Sequence, residues 1–300
     1  MINESLLKEK TIFSFEIFPP KKTMPIDTIF NTLDELKDLN PDFISVTFGA
    51  GGSENCSNAL AIAKRIQDVC KVESVIHMPC LNISKEEATF ILDQFKNAGI
   101  DNILALRGDK VSGVEPKGEF TKAQDLIDFI KDYDSKRKDG KSFKILGACY
   151  PELHPQSEDV YQDIDYLKQK VDAGANHLLS QLFFDNEQFY RFIERCRLKG
   201  ITAPIEAGIM PATNKKSIER MVSMTKAKLP KKFTDMMNRY SENPLAIRDA
   251  GIAYAIDQIV DLVTHGVEGI HLYTMNNPLV ARKIYEATIN LFSVPPKQTI

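Results

Sequence analysis

The sequence predicts an α/β fold, a (β/α)8 TIM barrel with extra helices between strands 7 and 8. Three observations carry that expectation. Eight short apolar runs recur along the 300 residues, most starting roughly 30 residues apart, close to one βα unit. Segments of helical period separate them. Polar groups stand at or just past seven of their ends: Glu16, Thr47, His77, Asp109, Tyr150, Gln181 and Tyr273. A barrel that keeps its reactive groups at strand exits has one working mouth.

The runs are 11–18, 43–48, 73–78, 102–107, 144–150, 177–184, 203–209 and 268–273. Each is mostly apolar, as parallel strands buried on both faces should be. Between them, Val160, Ile164, Leu167 and Val171 share one helical face, and Val280, Ile284, Ala287 and Leu291 share another. Ser84 with Glu87 three residues on forms a capping box, and Ser157 is expected to open the helix containing Val160. Gly99, Gly174, Gly200 and Gly266 follow helices where a left-handed cap is expected. The interval after Gly208 holds three helical segments, 214–229, 230–240 and 243–266, where one is usual.

Composition bounds the function. With 43% hydrophobic residues, 26% charged residues and a net charge of −3, the chain reads as one soluble domain over residues 1–300 with a large core. No broad basic field exists for nucleic acid or an anionic membrane, so the expected partner is a small molecule. Cys56, Cys70, Cys80, Cys149 and Cys196 are scattered without a C-x-x-C pair, and the start MINESLLKEK lacks a secretory apolar core. A reduced cytoplasm is the expected location. No apolar stretch approaches the roughly 18 residues of a membrane span.

Glu16 lies in Phe15-Glu16-Ile17-Phe18-Pro19-Pro20. Desolvation opposes ionisation of a carboxyl group, which suits a general acid; a structural carboxylate in the barrel mouth would show the same local sequence. Arg107-Gly108-Asp109 releases a cation and an anion together at the fourth strand's exit, either to hold a polar ligand or to make a surface turn. Tyr150 and His154 are held apart by prolines 151 and 155, a stiff loop in which the ring could stack and the imidazole donate, or both could be structural. Asp163, Tyr166 and Lys170 form a stripe on the next helix that could reach ribose or phosphate, or simply be solvated. His77-Met78-Pro79-Cys80 offers zinc-type ligands without further ligands at the right spacing, so no metal is expected. Gly49-Ala50-Gly51-Gly52-Ser53 lacks the full dinucleotide fingerprint and the Walker lysine.

In order along the chain, FEIFPP, SVTFGAGG, ALRGD, ACYPELHP, VDAGANHLLSQLFFD, GIMP and HLYTMN resemble the methylenetetrahydrofolate reductase family. The resemblance covers nearly the whole chain, and its specificity lies in the ordered combination. It implies a (β/α)8 barrel that holds FAD without a dinucleotide fold and reduces 5,10-methylenetetrahydrofolate to 5-methyltetrahydrofolate. It implies Glu16 as the acid that protonates the folate amine as the ring opens to an iminium, and Asp109 as the anion that stabilises that cation. Gln181 would bind folate and, in ping-pong alternation, the nicotinamide of NAD(P)H, with Thr47 also facing the nicotinamide.

The matching FAD positions are Thr47, Phe48, Ala50, His77, Arg107, Gly108, Asp109, Ala123, Tyr150, His154, Ser157, Asp163 and Lys170; Ser157 is a small-residue match, and Tyr166 and Gln169 stand where the family pattern has other polar or basic residues. On the substrate side Ser217, Met221 and Asn277 stand where family members have glutamine, phenylalanine and arginine. An asparagine cannot replace an arginine's charge toward the folate glutamate tail. The family's eukaryotic regulatory domain is expected to be absent, and a homo-oligomer is expected. The alternatives are another flavin barrel resembling proline dehydrogenase, a metal-dependent aldolase, and a folate- or flavin-binding subunit fed by an accessory electron-transfer protein.

Overall fold

The computed structural model describes residues 9–20, 23–48, 53–110, 113, 115–225 and 227–296. Its strands are β1 (Ile12–Ile17), β2 (Phe43–Val46), β3 (Glu73–Pro79), β4 (Asn102–Leu106), β5 (Lys144–Cys149), β6 (His177–Ser180), β7 (Ile205–Ile209) and β8 (Gly269–Tyr273), closed into a barrel in chain order. Parallel register is set by pairs such as Phe43 with Glu73, His77 with Leu104, Asn102 with Lys144 and Gly208 with His271. The helices are α1 (Asp27–Leu36), α2 (Ser53–Arg65), α3 (Lys85–Asn97), α4 (Ala123–Ser135), α5 (Val160–Ala173), α6 (Asn186–Leu198), α7 (Lys215–Thr225), α8 (Lys231–Tyr240), α9 (Pro244–Thr264) and α10 (Pro278–Thr288). The expected fold class holds, including three helices between β7 and β8.

Contacts group the described chain into two units. The first contains residues 15–148 and 167–178. Its core joins strand residues Phe43, Ile44, Val75, Ile76, Ile103 and Leu104 to helix faces bearing Leu33, Leu92, Phe95, Ile127 and Ile130, all buried. The Ser84–Glu87 capping box is formed as the sequence predicts. At the other end of its α4–β5 connection, buried Asp134 accepts from the Phe143 N–H at 2.8 Å and from Arg137 at 3.3 Å. Burial pushes the Asp134 carboxyl above its usual range, and those two donors oppose the rise.

The second unit contains residues 9–14, 149–166 and 179–296 of the described chain. Inside it, the Ser14 hydroxyl donates to Glu206 Oε2 at 2.5 Å and lies 2.6 Å from His271 Nδ1, and all three residues are fully buried. Gly269 leaves room for this group, since a Cβ there would sit 2.5 Å from the Glu206 Cγ. The inserted helices have their own apolar core, in which Phe233, Met237, Ile218 and Ile247 pack with Leu182, Phe184, Met210 and Ala212. Tyr254 on α9 donates to the Phe184 carbonyl at 2.6 Å. Gly251 is required on that helix because a Cβ would overlap the Ala212 carbonyl.

Three sequence expectations are corrected. β6 stops at Ser180, because Leu182 and Phe184 turn into the core of the inserted helices instead of extending the strand. Asp159, not Ser157, opens α5: its Oδ1 accepts from the N–H groups of Tyr161 and Gln162 at 2.8 and 2.9 Å, the N-cap arrangement. On α10 the buried stripe is Val280, Ala281, Ile284 and Thr288, while Ala287 is exposed.

Candidate active site

In the first unit the site begins with Glu16 on β1. Successive strand residues alternate faces, and Glu16 is only 6% exposed with His77 of β3 7% exposed. The His77 Nε2 lies 3.4 Å from Glu16 Oε2, so the structure brings these two sequence candidates together. Thr47 follows β2 and is fixed by its N–H donating to the Ile17 carbonyl at 3.1 Å. Thr47 and Phe48 are both half-buried.

The Arg107-Gly108-Asp109 segment is a defined turn. Beyond Pro79 the chain keeps bonding to it: the Cys80 and Leu81 N–H groups donate to the Arg107 carbonyl at 3.1 and 2.8 Å, and Asn82 Nδ2 donates to the Asp109 carbonyl at 3.3 Å. Gly108 has a φ of +83°, and a Cβ there would lie 2.7 Å from the Pro79 Cβ. Both the left-handed backbone and the close approach therefore demand glycine. The Asp109 side chain is exposed at the strand exit.

Ala123 is the first residue of α4, whose start is anchored by the Cys80 thiol donating to the Lys122 carbonyl at 3.4 Å. Burial pushes that thiol up to about 12. Lys170 on α5 donates its ammonium to the Ala148 carbonyl at the end of β5. The expected contribution of Ala50 lies outside the described residues.

In the second unit the structure gathers Tyr150, His154, Ser157 and Asp163. The Tyr150 and His154 rings meet edge to face at 4.5 Å. Asp163 uses both carboxylate oxygens on the loop, accepting from the His154 N–H at 3.1 Å and from the Ser157 hydroxyl at 3.0 Å. Gln156 N–H donates to His154 Nδ1 at 3.1 Å, which places an imidazole proton on Nε2 in the neutral ring. Asp163 thus holds a preformed loop that presents Tyr150 and His154, a role that the helix-stripe reading did not contain.

Gln181 follows β6, with its N–H donating to the Cys149 carbonyl at 2.7 Å and its Oε1 accepting from the Leu182 N–H at 2.9 Å. Ser217 is exposed on the first turn of α7, its N–H donating to Asn214 Oδ1 at 3.2 Å. Met221 packs against the core of the inserted helices. Asn277 is the N-cap of α10: its Oδ1 accepts from the Val280 N–H at 3.2 Å. The Asn-Pro pair that signals such a start recurs at Asn243-Pro244 of α9.

Two features escaped the sequence reading. Met275 and Asn276, just past β8, have φ values of +51° and +54°, a strained pair without glycine, and Met275 is 43% exposed there. Glu152, in the loop between Tyr150 and His154, accepts from the Lys228 N–H at 2.9 and 3.0 Å and so ties that loop to the α7–α8 connection. Burial raises the Glu152 carboxyl above its usual range, opposed by the Lys228 N–H.

In the first unit Arg107 and Lys170 bring cationic donors, Thr47 a hydroxyl and Phe48 a ring; in the second His154 brings an N–H donor, Ser157 a hydroxyl and Tyr150 a ring. Each set has the chemistry that a cofactor bearing phosphate and hydroxyl groups requires. No group of His, Cys, Asp and Glu side chains among the described residues has metal-binding geometry. No helix among them is long and apolar enough to cross a membrane.

A family model described as Methylenetetrahydrofolate reductase matches residues 1–288. "Methylenetetrahydrofolate reductase (NADH) 1" of Arabidopsis thaliana is 38% identical over 280 residues, covering 89% of this chain and 46% of that protein. The chain therefore spans about half the length of the plant relatives it matches. "5,10-methylenetetrahydrofolate reductase" of Escherichia coli (strain K12) is 35% identical over 277 residues, covering 92% of this chain and 90% of that protein. Among solved structures, an uncharacterized Clostridium thermocellum protein that binds two copies of 5-methyl-5,6,7,8-tetrahydrofolic acid aligns with a TM-score of 0.66 at 13% identity, covering 97% of this chain and 99% of that one. Likeness at that identity shows the fold.

Proposed function

The chain belongs to the methylenetetrahydrofolate reductase family, and from that premise we propose that it reduces 5,10-methylenetetrahydrofolate to 5-methyltetrahydrofolate. We take FAD as its redox group and NADH as donor, the nucleotide named in the plant relatives. FAD, when bound, would supply the hydride-transfer chemistry between the nicotinamide and the folate methylene carbon. Arg107, His154, Ser157 and Lys170 would hold its polar arm, with Thr47, Phe48, His77, Gly108, Ala123 and Tyr150 around it.

The protein's own chemistry is a proton and a charge. Glu16 delivers a proton to the folate amine that leaves as the five-membered ring opens, and His77 beside it restricts how the carboxyl group turns. Asp109 stabilises the resulting cation. Its side chain is exposed, so its field acts at full strength only when bound ligands exclude water. Gln181 supplies hydrogen bonds to folate and nicotinamide in turn. The Asn277 cap leaves no arginine at that position for a folate glutamate tail, so tail recognition there is weak in this reading. We place the enzyme in the cytoplasm as a homo-oligomer, with a protein electron donor as the alternative to NADH.

The observation that carries this reading is the buried Glu16 carboxyl beside His77 at a strand exit, in a chain of this family. The test is Glu16→Gln. The variant is expected to keep bound flavin and NADH-driven flavin reduction while losing folate reduction by about 10²–10⁴-fold, the range of general acid catalysis. Undiminished folate turnover would remove Glu16 from its role. Purified protein that neither contains flavin nor takes up added FAD would remove the whole proposal.

A further inference from the structure

We infer that Tyr273 is a positioning residue for Gln181: it holds the peptide from which the Gln181 amide offers its N–H donors to ligands. This rests on the reading that Gln181 meets the substrates. Tyr273 ends β8, and its phenol donates to the Ser180 carbonyl at 2.9 Å, immediately before Gln181. The ring crosses β7 at Gly208. A Cβ there would overlap the Ser180 carbonyl and lie 2.9 Å from Tyr273 Cε2 and 3.0 Å from the phenol oxygen, so this crossing requires glycine. From below, the His271 ring braces Tyr273 edge to face at 5.5 Å.

The peptide that carries Gln181 is then held on every side. The Gly208 N–H donates to the Ser180 hydroxyl at 2.9 Å, and that hydroxyl donates to the Gln181 carbonyl at 3.0 Å. The Gln181 N–H is taken by Cys149, as described above. The side-chain amide has its orientation set too, because an N–H can be met only by the amide oxygen and the Leu182 N–H meets it at 2.9 Å. Nε2 with its two N–H donors remains for a ligand, beside the second lone pair of Oε1. A ligand that seats on those donors must present an acceptor. The oxo group of a pterin and the carboxamide oxygen of a nicotinamide both satisfy that requirement, which lets one residue serve two substrates in alternation.

The test uses the flavin-loaded full chain with Tyr273→Phe, and with Ser180→Ala as an independent variant should the first fail to fold. KM values for both NADH and 5,10-methylenetetrahydrofolate are expected to rise together by about three- to tenfold, as loss of one neutral hydrogen bond allows. The kcat and flavin content should stay at wild-type values, while the melting temperature falls slightly with the lost hydrogen bond. A phenol that only stabilises the barrel would move the melting temperature and leave KM alone, and a phenol that touches one substrate itself would move one KM only; either result overturns the inference. Wild-type protein that oxidises NADH but ignores folate would instead overturn the proposed reaction.

Discussion

Substituting Gly108 by alanine probes whether the turn after β4 sets the site. The backbone there has a φ of +83°, and the added Cβ would stand 2.7 Å from the Pro79 Cβ. An L-residue in the left-handed region costs about 1–2 kcal/mol. The methyl group adds about 1–3 kcal/mol of overpacking, since carbon atoms prefer about 3.5–4.0 Å and the Pro79 ring cannot rotate aside. The combined cost of roughly 2–5 kcal/mol is a large part of a typical domain's stability. Gly200→Ala is the control: its φ is +76° but nothing lies within 4 Å of the new Cβ, so only the backbone contribution applies. In thermal melts Gly108→Ala should fall about 3–8 °C below wild type and clearly below the control. Relief by moving the turn would displace Arg107 and Asp109, so flavin content should also fall. Equal melting temperatures for the two variants, with full flavin content in both, would refute the close-approach argument.

The other predictions concern buried groups. Burial pushes the thiols of Cys70, Cys80 and Cys196 up to about 11, 12 and 12, so at pH 7.5 fewer than about one thiol in a thousand is ionised. Iodoacetamide followed by peptide mapping should label these three only after unfolding; rapid labelling of the native protein at any of them would contradict the packing around it. Ser14→Ala removes the hydroxyl between Glu206 and His271 and should destabilise by about 1–3 kcal/mol in urea melts. A change smaller than about 0.5 kcal/mol, typical of surface sites, would mean that the bridge contributes little.

Repetition of strand and helix was legible because parallel strands buried on both faces leave nearly continuous apolar runs, as at β3 and β4. The same property misled at β6, where Leu182 and Phe184 are apolar for a different reason: they fill the core of the inserted helices. At the start of α5, Ser157 and Asp159 were both chemically able to cap, and a contact from Ser157 to Asp163 decided between them. Glu16 and His77 could be named from strand ends, but their 3.4 Å approach depends on strand register, which no single run encodes. Asn277 was read through the resemblance as a lost arginine, while its position before Pro278 already carried the capping signal. The positive φ at Met275 and Asn276 had no glycine to announce it.

The aromatic plug built on Phe184, Phe233 and Tyr254 has an evolutionary corollary. Rim segments of a barrel ordinarily diversify one at a time, since each rests on its own strand. Here the exits of β6 and β7 and three helices draw on one shared interior, so drift in any member forces repacking of the others. Libraries that randomise the segment after Gln181 should co-vary Phe233 and Tyr254, because single changes there will mostly select for rescue of folding instead of altered substrate choice.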